Sequence, residues 1–184
     1  KKTGWLHTDY WYYLDQDGKM VTGLASVGNQ QYYFNQSGAM QTGWIQADGT
    51  YYYANNSGYI QKGWLHKGSW YYLDQDGKMV TGLASVGNQQ YYFDQSGAMK
   101  TGWIQADGTY YYANNSGYIQ KGWLHKGSWY YLDQDGKMVT GLASVGNQQY
   151  YFDQSGALQL GWYYRDNQYY YLDSNVVLVK GWNK

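Results

Sequence analysis

The chain has 184 residues, of which 26 are Tyr, 10 Trp and 3 Phe, whereas Pro and Cys are absent. Its formal net charge is zero, and all of its acidic residues are Asp. The lack of Cys excludes disulfide bonds and thiolate metal sites. The balanced charge argues against a nucleic-acid-binding surface, which needs a basic stripe. No apolar run approaches the roughly 20 residues of a transmembrane helix, so membrane insertion is not expected.

Aliphatic residues are too scarce for an ordinary Leu/Ile/Val core, so aromatic side chains have to supply the burial. Each aromatic side chain buries about 150–250 Å². Tyr and Trp favour strands, and the 25 Gly residues interrupt helices. The composition therefore predicts an all-β fold.

A Gly followed by Trp or Leu recurs at intervals of 19 or 20 residues along the chain. Three repeats form a block of 59 residues, and residues 4–62 match residues 63–121 at all but five positions. The pattern predicts one repeat module over 1–184, with nine complete repeats and a truncated tenth. The repeats begin near Gly4, Gly23, Gly43, Gly63, Gly82, Gly102, Gly122, Gly141, Gly161 and, for the truncated one, Gly181.

Each repeat has the pattern of one β-hairpin. In residues 43–62, an apolar-polar run meets Asp48-Gly49, and the strand-like run Thr50–Tyr53 follows. Asp-Gly between two such runs is a strong hairpin signal, because Gly accepts the positive φ of a tight turn. A lone hairpin is marginal in water, so the hairpins are expected to stack as a solenoid.

The first repeats show how aromatic side chains can surround a space between hairpins. Trp11 is expected to lie across the hairpin from Trp5, and Tyr32 of the next hairpin to face both, because side chains alternate along a strand. Met20 in the connecting loop is expected to add a soft wall. Three aromatic faces suit a quaternary ammonium group, with about 0.5–2 kcal/mol from each face. The alternative is that these rings form only the core.

The motifs GW…WYYLDQDGKMVTG and GW…TYYYANNSGYIQKG resemble the choline-binding repeats of streptococcal surface proteins and phage cell-wall lysins, a wider family that includes glucan-binding repeats. The resemblance covers essentially the whole chain. It implies a left-handed superhelix with about three hairpins per turn, and choline held between consecutive hairpins. It also implies a site made from the Trp of GW, the first aromatic residue of the WYY strand and an aromatic residue of the following repeat.

Carried over by position, the resemblance implies five choline-binding trios. They are Trp5, Trp11 and Tyr32; Trp44, Tyr51 and Tyr71; Trp64, Trp70 and Tyr91; Trp103, Tyr110 and Tyr130; and Trp123, Trp129 and Tyr150, with Met20, Met79 and Met138 as additional walls. Trp162 and Tyr169 begin a sixth. In the second, fifth and eighth repeats, Leu and Gln replace two walls, as at Leu24 and Gln31, so these repeats should not open a site.

Other site chemistry is less consistent with the pattern. The three His residues recur 59 positions apart, so repeat geometry separates them along the solenoid. Asp15-Gln16-Asp17-Gly18 is similar to the start of a calcium loop, but the chain lacks the Glu that completes such a loop. No P-loop, G-x-S-x-G or dinucleotide fingerprint occurs. We therefore expect no catalytic residues, no metal and no cofactor.

The sequence thus favours a non-catalytic module that binds choline or phosphocholine groups of cell-wall teichoic acid. This implies an extracellular position at a bacterial cell surface, is compatible with a homodimer, and allows a catalytic domain elsewhere in the parent protein. Two alternatives stay open at this point. One is a glucan-binding repeat module that uses the rings as sugar-stacking platforms, and the other is a structural spacer or engineered repeat scaffold.

Overall fold

The computed structural model describes residues 1–165, 167–172 and 178–180, and the regular structure of these residues is entirely β. No helix among them is long and apolar enough to cross a membrane. The strands are β1 Gly4–His7, β2 Trp11–Leu14, β3 Gly23–Val27, β4 Gln30–Phe34, β5 Gly43–Ala47, β6 Thr50–Ala54, β7 Gly63–Lys67, β8 Ser69–Leu73, β9 Gly82–Val86, β10 Gln89–Phe93, β11 Gly102–Ala106, β12 Thr109–Ala113, β13 Gly122–Lys126, β14 Ser128–Leu132, β15 Gly141–Val145, β16 Gln148–Phe152, β17 Gly161–Arg165, β18 Gln168–Leu172 and β19 Leu178–Lys180.

Tight turns close the hairpins. In β5–β6 the register pairs Ala47 with Thr50, which leaves a two-residue turn. The turn residues Asp48 and Gly49 have φ values of 53° and 74°. A type I′ turn requires positive φ at both of its central residues, and Asp and Gly are among the residues that accept it. The Asp-Gly signal therefore predicted this turn correctly.

The polar segment after each hairpin is an ordered loop rather than a loose linker. Asp15 Oδ1 accepts hydrogen bonds from the backbone N–H groups of Asp17 (2.9 Å) and Lys19 (2.8 Å). The loop also needs Gly18, whose φ is 70°. The carboxylate is thus used to organise a turn. The same hydrogen bonds recur at Asn55, which shows that an amide oxygen serves equally well.

Backbone hydrogen bonds join consecutive hairpins. In each of them, the donor lies in the connecting segment that follows the second hairpin of the pair, and the acceptor lies in the first hairpin. Met40 N donates to Trp11 O, Ile60 N donates to Gln31 O, and Met79 N donates to Tyr51 O, each at 2.8 Å. Each connecting segment therefore reaches back to the preceding hairpin and satisfies a backbone carbonyl there. This repeated contact is what stacking of successive repeats predicts.

The chain divides into two compact units, one made of residues 1–84 and 93–99 and the other of residues 85–92 and the described residues from 100 onward. The first unit has a buried cluster of Ile45, Tyr52, Ala54 and Ile60. The second has the equivalent cluster of Ile104, Tyr111, Ala113 and Ile119.

The all-β hairpin repeat is confirmed by these elements. The single module over 1–184 stays a prediction, as do the left hand of the superhelix and its three hairpins per turn. The truncated tenth repeat, predicted from Gly181, lies outside the described residues.

Candidate functional site

An aromatic pocket forms where the first two hairpins meet. Trp5 and Trp11 belong to the first hairpin, and their ring centroids lie 6.1 Å apart with planes at 86°. The register pairs Trp5 directly with Tyr13, and His7 with Trp11. Trp11 thus lies across the hairpin from Trp5 on a diagonal, two residues before the directly paired Tyr13.

Tyr32 of the second hairpin closes the pocket. Its ring lies 4.8 Å from that of Trp5, at 69°. Tyr32 is 7 % exposed, whereas Trp5 and Trp11 are 40 % and 45 % exposed. The pocket therefore has a buried wall and two walls open to solvent. Its volume is about 530 Å³.

The thioether at this pocket comes from a different loop than the sequence suggested. Met40 lines the pocket. Met20, the residue predicted for this role, lies instead beside the backbone of Gly38, where an added Cβ would collide with it. The connecting segment after the second hairpin reaches back to the first, since Met40 N donates to Trp11 O. This one-repeat offset replaces Met20 with Met40.

Sequence reasoning also missed the rim of the pocket, which is built by the loop after the third hairpin. Asn56, Ser57 and Tyr59 line it. The Tyr59 ring stands 5.5 Å from that of Tyr32 at 83°. Burial raises the pKa of Tyr32, and the charge interaction and hydrogen bond with Tyr59 raise it further. The available signal was the Tyr after the loop glycine Gly58, which recurs as Tyr118 one block later, whereas the loop glycines of the repeats between them are followed by Lys or Ala.

A second pocket in the same unit lies between the third and fourth hairpins. Trp44, Tyr51 and Tyr71 line it together with Met79, and its volume is about 260 Å³. The Trp44 and Tyr71 rings lie 4.9 Å apart at 65°. Gln95 and Ser96 form its rim.

The second unit repeats this arrangement. Trp103, Tyr110 and Tyr130 line a pocket of about 290 Å³ with Met138 as its thioether wall. The Trp103 and Tyr130 rings lie 4.8 Å apart. The rim is again a Gln-Ser pair, here Gln154 and Ser155.

A further predicted trio of the second unit is also brought together. The Trp123 ring lies 6.2 Å from that of Trp129 and 4.8 Å from that of Tyr150. These distances match those at Trp5, so the geometry of the first trio recurs with the repeat.

The remaining predicted residues include two further pairs of rings that lie close together. Trp64 and Trp70 lie 6.1 Å apart in the first unit. Tyr91 belongs to the second unit and contacts Tyr118 there, so the trio of Trp64, Trp70 and Tyr91 stays a prediction. Trp162 and Tyr169 lie 6.4 Å apart.

The junction after the Leu24 hairpin, β3–β4, is filled by side chains. Tyr52 and Ile60 belong to the buried cluster of the next hairpin, and Tyr33 of β4 packs against that cluster. Tyr52 is only 2 % exposed. The Oε1 atom of Gln31 is buried, and no hydrogen-bond partner for it exists among the described residues. The junction is therefore mainly core, which agrees with the predicted loss of a site.

The open pockets are suited to binding a cation by ring faces rather than by charge. Each combines at least three aromatic rings with a thioether, and neighbouring rings meet edge to face. Their described lining residues are all uncharged. Such a cage attracts a cation through the negative faces of the rings and buries attached methyl groups against apolar carbon.

Two family models cover most of the chain. The "Choline-binding repeat" model matches residues 21–60, 80–119 and 139–182. The "Putative cell wall binding repeat" model matches residues 3–20, 63–79 and 122–138. No curated protein sequence matches the chain.

Solved structures of similar repeats come from Streptococcus pneumoniae. CbpJ of strain TIGR4 is 35 % identical, with a TM-score of 0.82, over 92 % of this chain and 62 % of CbpJ. Choline binding protein F, in the presence of a peptidoglycan analogue, is 33 % identical with a TM-score of 0.70, over 92 % of this chain and 70 % of its own. The choline-binding domain of CbpL is 27 % identical with a TM-score of 0.70, over the full length of both chains.

The chain thus spans 62 % of the length of CbpJ, and its fold is the stacked-hairpin solenoid of these proteins. The repeat models, the hairpin fold and the inter-hairpin aromatic pockets agree with one another. This chain therefore belongs to the choline-binding repeat family.

Proposed function

We propose that the chain is a non-catalytic, multivalent module that binds choline or phosphocholine groups in the pockets between consecutive hairpins. The observation that carries the proposal is the recurrent cage, in which a Trp and a second aromatic residue of one hairpin meet a Tyr of the next. The trimethylammonium group would lie against these rings, with its methyl groups also touching the Met side chain. No covalent chemistry is needed for this role.

Multivalency would turn weak sites into firm attachment. Each ring face contributes about 0.5–2 kcal/mol, so one cage holds choline weakly. Several cages on one polymer gain avidity, because later binding events become intramolecular. The family's association with cell walls fits this design, and choline-bearing teichoic acid would be the partner. The module would anchor a larger extracellular protein, with any catalytic activity residing in another domain.

The alternative of glucan binding predicts a different geometry. A pyranose stacks best on an open, flat aromatic platform with hydrogen-bonding groups beside it. The observed walls instead stand steeply to one another, at 86° and 69° in the Trp5 pocket. Walls at these angles surround a compact group, which favours the cation.

Separate titrations with choline and with dextran test the proposal. Trp fluorescence reports the rings directly, and thermal stability reports binding to the folded state. We expect a saturable response to choline in the millimolar range and none to dextran. A response to dextran alone would favour the glucan module, and no response to either would leave the spacer.

A further inference from the structure

The pockets differ at their rims, and the difference bears on what is attached to the cation. The Trp5 pocket receives its rim from the loop that begins at Asn55, and the Trp103 pocket receives its rim from the loop that begins at Asp153. The two loops have the same backbone geometry, since residue 55 accepts from Tyr59 N and residue 153 accepts from Ala157 N, each at 3.0 Å. The two rims therefore share this loop hydrogen bond and differ in their side chains.

The rim of the Trp5 pocket is neutral and offers hydrogen-bond donors. Among the described residues, neither the Asn56 side chain nor the Ser57 hydroxyl is engaged in a hydrogen bond, and both line the pocket. Tyr59 adds a phenol hydroxyl at the same mouth. An amide, a hydroxyl and a phenol thus stand together beside the aromatic cage.

The rim of the Trp103 pocket is Gln154 and Ser155, and the carboxylate of Asp153 lies directly behind it. Among the described residues the Gln154 amide is unengaged, as the Asn56 amide is, so the two rims differ in the hydroxyl and in the residue after the loop glycine. The Ser155 hydroxyl donates to Asp153 at 2.6 Å, so it is already engaged. This hydrogen bond lowers the pKa of Asp153 below its ordinary value, and the side chain is a carboxylate at neutral pH. Ala157 stands where the other loop has Tyr59. The Trp44 pocket has the same kind of rim, since Ser96 donates to Asp94 at 2.6 Å and Ala98 follows the loop glycine.

We propose that the Trp5 pocket selects phosphocholine over choline, whereas the Trp44 and Trp103 pockets do not. In the Trp5 pocket, the trimethylammonium group would lie against Trp5, Trp11 and Tyr32, and the phosphate would accept hydrogen bonds from Asn56, Ser57 and Tyr59. The volume supports this assignment, since it is about 530 Å³ at Trp5, about 260 Å³ at Trp44 and about 290 Å³ at Trp103. A carboxylate beside the smaller pockets would repel the phosphate.

This inference rests on the proposed function, and a site-resolved titration separates the two. The full chain is labelled with 5-fluorotryptophan, and single Trp→Phe variants assign the fluorine resonances of Trp5, Trp44 and Trp103. Choline and phosphocholine are titrated separately, with inorganic phosphate as a control. At Trp5 we expect phosphocholine to bind about tenfold more tightly than choline, the scale of one hydrogen bond to a charged group. At Trp44 and Trp103 we expect the two affinities to agree within about twofold.

Matched variants exchange the rims without removing the cages. Asn55→Asp copies the loop type found at Asp153, and Tyr59→Phe keeps the ring but removes the hydroxyl. Each should reduce the preference for phosphocholine at Trp5, measured as the ratio of the phosphocholine and choline affinities at that tryptophan. Asp153→Asn should raise phosphocholine affinity at Trp103 only. Thermal unfolding of each variant checks that the fold is kept.

The outcomes are distinct. Equal choline-to-phosphocholine ratios at all three tryptophans would overturn the selectivity while leaving the cages in place. A preference at Trp5 that survives both Asn55→Asp and Tyr59→Phe would overturn the role of the rim. Absence of any choline response at the three positions would overturn the proposed function itself.

Discussion

Two adjacent junctions in the first unit use the same backbone contact and reach opposite results. At the first, Met40 N donates to Trp11 O, and an aromatic pocket opens between the hairpins. At the second, Ile60 N donates to Gln31 O, and Tyr52 is buried in a core cluster. The stacking of hairpins is thus independent of whether a pocket forms. The backbone contact is the same at both junctions, so the side chains determine whether a junction becomes a binding site or a core.

The filled junction also shows how the neighbouring loop contributes. An added Cβ at Gly77 would meet both Ile60 and Tyr52, so this loop packs down on the cluster. At the open junction the equivalent Gly58 stands against Met40, and the residues around it line the pocket. At each junction the loop after a third hairpin therefore takes part. This loop packs against the core cluster at the filled junction and forms the rim of the pocket at the open junction.

The largest expected effect is a loss of stability when the core of the filled junction is disrupted. Tyr52→Ala removes a side chain that is 2 % exposed and leaves a cavity, so it should lower the free energy of unfolding by about 3–5 kcal/mol. Denaturant unfolding measures this. Leu24→Ala is the control, because Leu24 is 38 % exposed and should cost far less. Equal losses for the two variants would show that the junction is not core.

The next largest effect is on the number of choline molecules bound per chain, which should change at an open junction and not at the filled one. Trp44→Ala removes one wall of an open pocket, so calorimetric choline titration should show one binding equivalent fewer than the parent chain. The Leu24→Ala variant should keep the parent stoichiometry, since its junction is filled. An unchanged count for Trp44→Ala would reject the assignment of that cage.

A gain-of-site variant sharpens the same comparison. Leu24→Trp combined with Gln31→Trp restores both missing walls opposite Tyr52. We expect one additional choline equivalent, because the backbone contact between these hairpins already matches that of the open junction. Leu24→Trp alone leaves a wall missing and serves as the control. If the double variant binds no additional choline, Tyr52 and Ile60 still fill the junction. The two missing walls would then not be what prevents a site from forming there.

The smallest expected effect concerns the buried wall of the open pocket. Burial, and then the interactions with Tyr59, raise the pKa of Tyr32 above its ordinary value of 10.0. The neutral phenol therefore stabilises the fold below pH 10, and this contribution is lost as the pH rises through the folded-state value. Unfolding curves at increasing alkaline pH should show a decline that is shallower in Tyr32→Phe. Tyr10→Phe, at an exposed position, should follow the parent chain, and a parent-like decline in Tyr32→Phe would contradict the assignment.

The hairpins and most of the cage residues could be predicted from the sequence, because both depend on local pattern. Asp48-Gly49 predicts its own turn, and strand alternation places Trp5 and Trp11 on one side of a hairpin. Met40 and Tyr59 could not be assigned in this way. Their positions depend on how far a connecting loop reaches along the stack, which is set by tertiary contacts that no single repeat encodes.

The central claim is that ring faces hold a cation in these pockets. The most direct measurement compares choline with 3,3-dimethylbutanol, its uncharged isostere, by titrating each while following Trp fluorescence. Both molecules have the same shape and methyl groups, so only the interaction between charge and ring differs. We expect choline to bind at least about tenfold more tightly, since several faces each contribute about 0.5–2 kcal/mol. Equal affinities would show that the pockets bind by apolar contact alone, and would contradict the account.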